Sequence, residues 1–220
     1  MRIVKDTLDI TDGRDSNAVY ASVSAKTLVK GSGRLNLILT HLRKTEKLGG
    51  ACAEVGVYKG GTASLIAKEK GNRPFHCFDT FEGIPHVSKE DTFYEVGMHP
   101  SNYENVSNIL KKYPDTHVYK GVFPEENSEV VAGLKFSFVH LDVDVYKSYV
   151  ECLPFFYSRM LKGGVIVHDD YAYKTCSGAT QAIDEFYADK PEIEDVRSSD
   201  FVDPLSSKKT EKLSLVVTIR

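Results

Sequence analysis

The rhythm of apolar and polar positions changes near residue 50. Before that point no stretch alternates with a period of two. Apolar positions 35, 38, 39 and 42 recur at helical spacing and predict a helix over Leu35–Leu48. A second helix is predicted over Ala18–Val29, with Gly31-Ser32-Gly33 as the break between them. From Ala51 onward, short apolar runs alternate with amphipathic ones. ACAEV, PFHCF, THVYKG, FSFVHL and GGVIVH read as strands. Helices are predicted to start near Thr62 and to cover Asn102–Lys112, Glu125–Ala132, Lys147–Met160 (with a bend at Pro154) and Ala179–Tyr187. Residues 192–197 and the run LSLVVTI add two late strands.

This alternation predicts an α/β domain with a mostly parallel sheet and helices on both faces. Residues 1–48 then read as a helical N-terminal extension covering one edge of a ligand site, and 49–220 as the main domain. Residues 83–104 are long for a plain connector and rich in aromatic and polar residues, so they are expected to form a lid. Residues 198–211 read as an ordinary loop.

Composition narrows the picture. The chain has 220 residues, 41% apolar and 27% charged, enough for one domain with a full core and unlike a disordered or fibrous chain. With 28 basic and 31 acidic residues the formal charge is −3, which argues against a broad nucleic-acid surface. No apolar run approaches the roughly 20 residues that span a bilayer. The opening MRIVKDTLDITDGRD carries acidic residues and no apolar core, so no secretory leader and a cytoplasmic location are expected. Cys52, Cys77, Cys152 and Cys176 form no close pair with metal-ligand spacing and are expected to be reduced.

Two stretches carry candidate chemistry. The first is the turn Glu54-Val55-Gly56-Val57-Tyr58-Lys59-Gly60-Gly61-Thr62, between a strand and a helix. Its glycines allow close backbone approach, and the helix start offers unpaired N–H groups. It matches neither the dinucleotide fingerprint nor a P-loop. Glu54 would repel a pyrophosphate but suits an ammonium or sulfonium cation. Asp79 closes the second strand, where nucleotide-binding sheets hold ribose hydroxyls. Together they describe a nucleoside ligand without phosphate, such as S-adenosylmethionine.

The second stretch is a set of aspartates at two strand tips, Asp142 and Asp144 in LDVDVY and Asp169 and Asp170 in HDDY. Several carboxylates held together repel one another unless a cation relieves them, and oxygen-only ligation favours magnesium, calcium or manganese. A cation on an acceptor hydroxyl would lower its pKa, with Asp142 available to take the proton. His140, His168, His86 and His99 are weaker candidates for the base.

The ordered motifs CAEVGVYKGGTASLIA, CFDTFEGIP, KGVFPE, FVHLDVDVYKSYVECL and LKGGVIVHDDYAYKTCSGATQAIDEF resemble the TylF/MycF family of macrolide-sugar O-methyltransferases over residues 35 to 188. The resemblance implies a Rossmann-like class I methyltransferase with a seven-stranded sheet in the order 3-2-1-4-5-7-6. It further implies S-adenosylmethionine and magnesium as cofactors, a deoxysugar hydroxyl on a natural product or glycan as acceptor, and a homo-oligomer (dimer or tetramer). Carried onto this chain, Asp142, Asp169 and Asp170 would hold the metal, with Asp142 also catalytic. Glu54, Gly56, Tyr58, Gly60, Gly61, Thr62, Asp79 and Asp142 would line the cofactor. The short N-terminal extension and the lid sequence depart from the family.

Three other readings compete. A catechol-like phenol acceptor would use Phe93 and Tyr94 as an aromatic clamp. Asp142-Val143-Asp144-Val145 also matches the nucleophile motif of haloacid-dehalogenase-like phosphatases, but that motif should close the first strand of the sheet rather than a fourth. A non-catalytic binding subunit would have lost the glycine turn or the carboxylates, and both are intact.

Overall fold

Central strands of an α/β sheet are buried on both faces and read as nearly unbroken apolar runs. β1 (Ala51–Val55) and β4 (Phe136–Leu141) are buried at every position, and β2 (Phe75–Asp79) at all but its last. In the computed structural model, which describes residues 32–190, 194–197, 201–202, 209–210 and 214–220, these strands form the middle of a seven-stranded sheet. β3 (Thr116–Lys120) lies at one edge and is only partly buried. β5 (Met160–His168) flanks β4, and the first five strands pair in parallel. β6 (Glu194–Arg197) and β9 (Leu215–Thr218) complete the sheet, with β9 antiparallel to both β5 and β6. Between them in sequence, β7 (Phe201–Val202) and β8 (Lys209–Thr210) pair as a separate antiparallel ribbon. The order β3-β2-β1-β4-β5-β9-β6 is the expected 3-2-1-4-5-7-6 once β9 is counted as the seventh strand.

Alternation along each strand divides the interior in two. On one face α1 (Ser32–Lys44), α2 (Gly61–Glu69) and α3 (Tyr103–Leu110) supply Leu35, Ile38, Leu42, Leu65, Ile66, Val106 and Leu110. These pack with Cys52, Phe75, Phe138 and Val165 of the sheet. On the other face α4 (Tyr146–Tyr157) and α5 (Ser177–Tyr187) bury Tyr149, Leu153, Phe156, Ala179 and Ile183 against Phe136, Val139 and Ile166. α1 therefore shares one core with the sheet. Its apolar stripe is the one read at 35, 38, 39 and 42, and Leu42 is wholly buried.

Several boundaries differ from expectation. α1 begins at Ser32, inside the Gly-Ser-Gly break, and ends at Lys44, with a 3-10 turn over Glu46–Leu48. Glu125–Ala132 holds only a 3-10 turn, Ser128–Val131, because Val131 alone of that turn is buried and no apolar stripe supports a full helix. α4 ends at Tyr157 rather than Met160, because Met160 already pairs with Phe136 in the β4–β5 ladder. The loop expected over 198–211 contains the β7–β8 ribbon, whose strands are too short to show alternation in sequence. The helix predicted over Ala18–Val29 lies outside the described residues.

The segment read as a lid, residues 83–104, is tied down at both ends and in the middle. Ile84 N–H donates to the Met98 carbonyl (2.8 Å) and Gly97 N–H to the Ile84 carbonyl (2.9 Å), which closes the loop on itself. Its last residues belong to α3, whose N-cap Asn102 accepts from Asn105 N–H at 2.8 Å. At its centre Asp91 accepts from the Tyr146 N–H (2.9 Å) and Ser88 N–H (2.8 Å), and Ser177 Oγ donates to the Glu90 carbonyl (2.9 Å). This segment thus sits on the N-termini of α4 and α5.

Candidate functional site

The site forms where β1, β2, β4 and β5 end together, beyond their carboxyl edges. The glycine turn follows β1. Gly56 has φ +87°, and a Cβ built on it would stand 1.8 Å from the Asp142 carbonyl oxygen. Only a bare backbone fits between the turn and the β4 tip. The ladder extends past the strand ends, with Asp142 N–H on the Val55 carbonyl (3.0 Å) and Asp169 N–H on the Leu141 carbonyl (2.9 Å). Tyr58 and Gly60 take left-handed conformations (φ 50° and 77°), and α2 starts at Gly61 and buried Thr62 with no side-chain cap.

Asp79 shapes this turn. Its Oδ2 accepts from the N–H groups of Val57 and Tyr58, both at 2.7 Å, and its Oδ1 from Phe81 N–H at 2.6 Å. Burial raises its pKa while these three backbone donors lower it. It therefore fixes the turn at the carboxyl end of β2.

Glu54 is fully buried beside its strand partner His140, whose Nδ1 lies 2.9 Å from Glu54 Oε1. Glu54 Oε2 and His140 Nε2 are buried without a hydrogen-bond partner among the described residues. Burial, and secondarily the charge of Asp79, raises the Glu54 carboxyl well above its ordinary value. A carboxylate in this condition is stabilised by any cation that reaches it.

The four aspartates separate into distinct environments. One carboxylate oxygen from each of Asp142, Asp169 and Asp170 lies within 4.8 Å of the others. Asp142 is partly exposed and makes no side-chain hydrogen bond among the described residues. Burial, then the charges of Asp170 and Asp144, push its pKa well up. Asp170 is buried and its Oδ2 receives the Asp144 N–H (2.9 Å) and the Tyr149 hydroxyl (3.0 Å). Asp144, at φ 63°, accepts the Tyr94 hydroxyl at 2.6 Å. Burial and Asp170 push its carboxyl up to about 8. Cys176 completes a second group with Asp144 and Asp170.

Asp169 has a partner that no sequence motif announced. Arg34, in the first turn of α1, donates from Nε to Asp169 Oδ1 (2.9 Å) and from Nη2 to the Asp169 carbonyl (3.0 Å), and Nη2 is also ion-paired with Asp169 Oδ2. The pair is almost wholly buried. His140 Nε2 stands 3.9 Å from Asp169 Oδ1, so Glu54, His140, Asp169 and Arg34 form a row on the α1–α2 face.

The four histidines differ in setting. Burial lowers His140 to about 4 and His168 to about 3, which makes both weak bases. His168 lies on the other face of the sheet, with Nε2 3.1 Å from the Tyr187 hydroxyl. His86 contacts Ser148 Oγ (3.3 Å), and His99 packs edge-on to Tyr58 and Tyr94. The two aromatics of the clamp reading also differ in setting. Tyr94 is buried and bonded to Asp144, whereas Phe93 is 54% exposed. The four cysteines are buried and unbridged.

A seven-stranded sheet in this order, with a glycine turn after β1 and acidic tips on β4 and β5, defines a class I methyltransferase fold. The chain belongs to the TylF family: the family described as macrocin-O-methyltransferase (TylF) matches residues 9–203. Two curated relatives are each 27% identical to it. One is an 8-demethyl-8-(2,3-dimethoxy-alpha-L-rhamnosyl)-tetracenomycin-C 4'-O-methyltransferase of Streptomyces olivaceus, aligned over 147 residues, 59% of this chain and 56% of the relative. The other is a demethyldecarbamoylnovobiocin O-methyltransferase of Streptomyces niveus, aligned over 161 residues, 63% and 58%. The chain thus spans just over half the length of these relatives. The O-methyltransferase NovP shares the fold with a TM-score of 0.66 at 21% identity, over 88% of this chain and 82% of that one. The calicheamicin methyltransferase CalS11 matches with a TM-score of 0.66 at 15% identity, over 99% of both chains. No helix among the described residues is long and apolar enough to cross a membrane.

Proposed function

We propose that this protein is an S-adenosylmethionine-dependent, magnesium-dependent O-methyltransferase that methylates a hydroxyl on a sugar of a natural product. The observation that carries this reading is the meeting of Asp142, Asp169 and Asp170 at one point beside the Gly56 turn. Family membership and the two relatives' sugar-bearing or antibiotic substrates support the acceptor class.

The residues suit both cofactors. The buried, unpartnered Glu54 Oε2 fits a cationic methionine end, and the uncapped α2 start behind Gly60 and Gly61 offers backbone donors to its carboxylate. Asp79 orders the turn and closes the ribose side. The hard-oxygen donor set of Asp142, Asp169 and Asp170 suits magnesium. When bound, a divalent cation lowers the pKa of a hydroxyl it touches, and S-adenosylmethionine supplies the electrophilic methyl. Asp142 takes the acceptor proton, a role that fits a carboxyl whose pKa is already raised by burial and its neighbours. The seated lid excludes water and holds the acceptor near the methyl. Tyr94, committed to Asp144, is not free to clamp a phenol, which favours the sugar over the catechol-like acceptor. The chain works as a homo-oligomer in the cytoplasm.

Calorimetric titration of metal-stripped protein with S-adenosylhomocysteine, with and without magnesium, tests the reading. Saturable binding of the cofactor product, together with a magnesium site lost in Asp170→Asn, supports it. Failure of folded protein to bind S-adenosylhomocysteine contradicts it.

A further inference from the structure

We infer that Arg34 is a guard of the metal site, a built-in cation that competes with a divalent ion for Asp169. The inference rests on the metal reading above and goes beyond it by assigning a residue of α1 to the control of metal occupancy.

The geometry is specific. A carboxylate engaged side-on by an arginine fork uses the favourable lone pair of each oxygen. Arg34 takes Asp169 in this way, Nε on Oδ1 and Nη2 on Oδ2, and anchors itself through Nη2 to the Asp169 carbonyl. Among the described residues, Asp142 offers a carboxylate with no hydrogen bond, and Asp170 Oδ1 receives no N–H or O–H donor, with the Cys176 thiol at 3.8 Å. Of the three proposed ligands, Asp169 is thus the one that is ion-paired with a positive charge among the described residues. A divalent cation entering between them meets a fixed guanidinium on its third ligand. It must displace the fork or accept the poorer lone pairs, and it feels the repulsion in either case.

The arrangement has a structural reason. Asp169 is buried, and without Arg34 its charge would stand uncompensated in the metal-free protein, a costly condition. Arg34 therefore keeps the empty site folded and loosens the filled one. Because Arg34 lies in the first turn of α1, metal occupancy is coupled to the position of the helix that forms one wall of the core.

The test measures metal affinity without turnover. Manganese is titrated, by electron paramagnetic resonance or calorimetry, into metal-stripped full-length wild type, Arg34→Met and Arg34→Lys. Arg34→Met is expected to bind manganese about tenfold tighter or more, with Arg34→Lys between it and wild type because it keeps the charge but not the fork. The midpoint of thermal unfolding gives an independent readout. Metal-free Arg34→Met should melt below wild type and gain more from manganese than wild type does. Equal or weaker manganese binding in Arg34→Met, with an equal or smaller thermal gain, overturns the guard while leaving the metal site standing. Absence of manganese binding in all three folded proteins removes the metal site itself, and the guard falls with it.

Discussion

Gly56 and Asp142 meet through their backbones: a single methyl on Gly56 would overlap the Asp142 carbonyl, whose residue carries the proposed catalytic carboxylate. The glycine turn and the β4 tip are thus one mechanical unit. Gly56→Ala would have to separate them and also adopt φ near +87°. We expect a cost of about 3 kcal/mol or more. Chemical denaturation measures it, and a loss below 1 kcal/mol, on the order of an ordinary surface change, would show that the contact is soft.

Asp142→Asn separates catalysis from stability. At neutral pH the native fold holds a carboxylate whose pKa burial and two neighbouring aspartates have raised, so ionisation there opposes folding. A neutral amide removes that penalty. The metal-free variant is expected to melt higher than wild type, while kcat with a competent acceptor falls roughly 10²–10⁴-fold. Both arms are read from one preparation by calorimetry and a methyl-transfer assay.

Asp79→Ala leaves the N–H groups of Val57, Tyr58 and Phe81 without their acceptor. With three donors affected, the turn should loosen before the sheet does. S-adenosylhomocysteine affinity is expected to fall at least about tenfold, corresponding to one lost hydrogen bond's worth of free energy. Unchanged affinity would remove Asp79 from the cofactor site.

How much of this could be read from the sequence depends on the range of each contact. Asp142, Asp169 and Asp170 were legible because each follows a buried apolar run, and strand ends in such sheets converge by topology alone. The sheet order was legible for the same reason. Arg34 was not, because its role depends on a contact 135 residues away and it sits beside a Gly-Ser-Gly segment that reads as a break. The Glu54–His140 pair was hidden too, since it follows from the β1–β4 register and not from any local pattern. Asp79 was legible as the last residue of the second strand, whereas its three backbone donors depend on turns that only the folded chain displays. Phe93 and Tyr94 were read together as a candidate aromatic clamp because the sequence gives no sign of which of two adjacent aromatics turns inward.

Tyr94→Phe removes the one lid hydroxyl bonded to the aspartate group. The expected cost is about 1–2 kcal/mol. Because Ile84, Gly97 and Asp91 still hold the loop, the effect should appear first as faster proteolysis within residues 88–98, with little change in the far-ultraviolet circular dichroism. A cleavage rate equal to wild type would mean that the backbone contacts alone seat the lid.

His41 gives a pH prediction remote from the site. It is buried in α1, and burial, with a smaller contribution from Lys44, lowers its pKa from 6.5 to about 4. A lowered native pKa stabilises the fold above 6.5, and that contribution is lost as the pH falls through the interval down to about 4. At pH 5 the unfolded state gains about 2 kcal/mol from protonating this residue alone. His41→Leu should therefore flatten the acid side of the stability profile by about that amount. Urea denaturation at pH 7.5 and pH 5 measures it, and parallel profiles would show that His41 is protonated in the native state.

The most direct test of the central claim is a crystal structure with manganese and S-adenosylhomocysteine. An anomalous peak ligated by Asp142, Asp169 and Asp170 is expected, with the cofactor's methionine end against Glu54 and the Gly56 turn. A peak elsewhere or none at full soak, or a cofactor bound away from that turn, would contradict it.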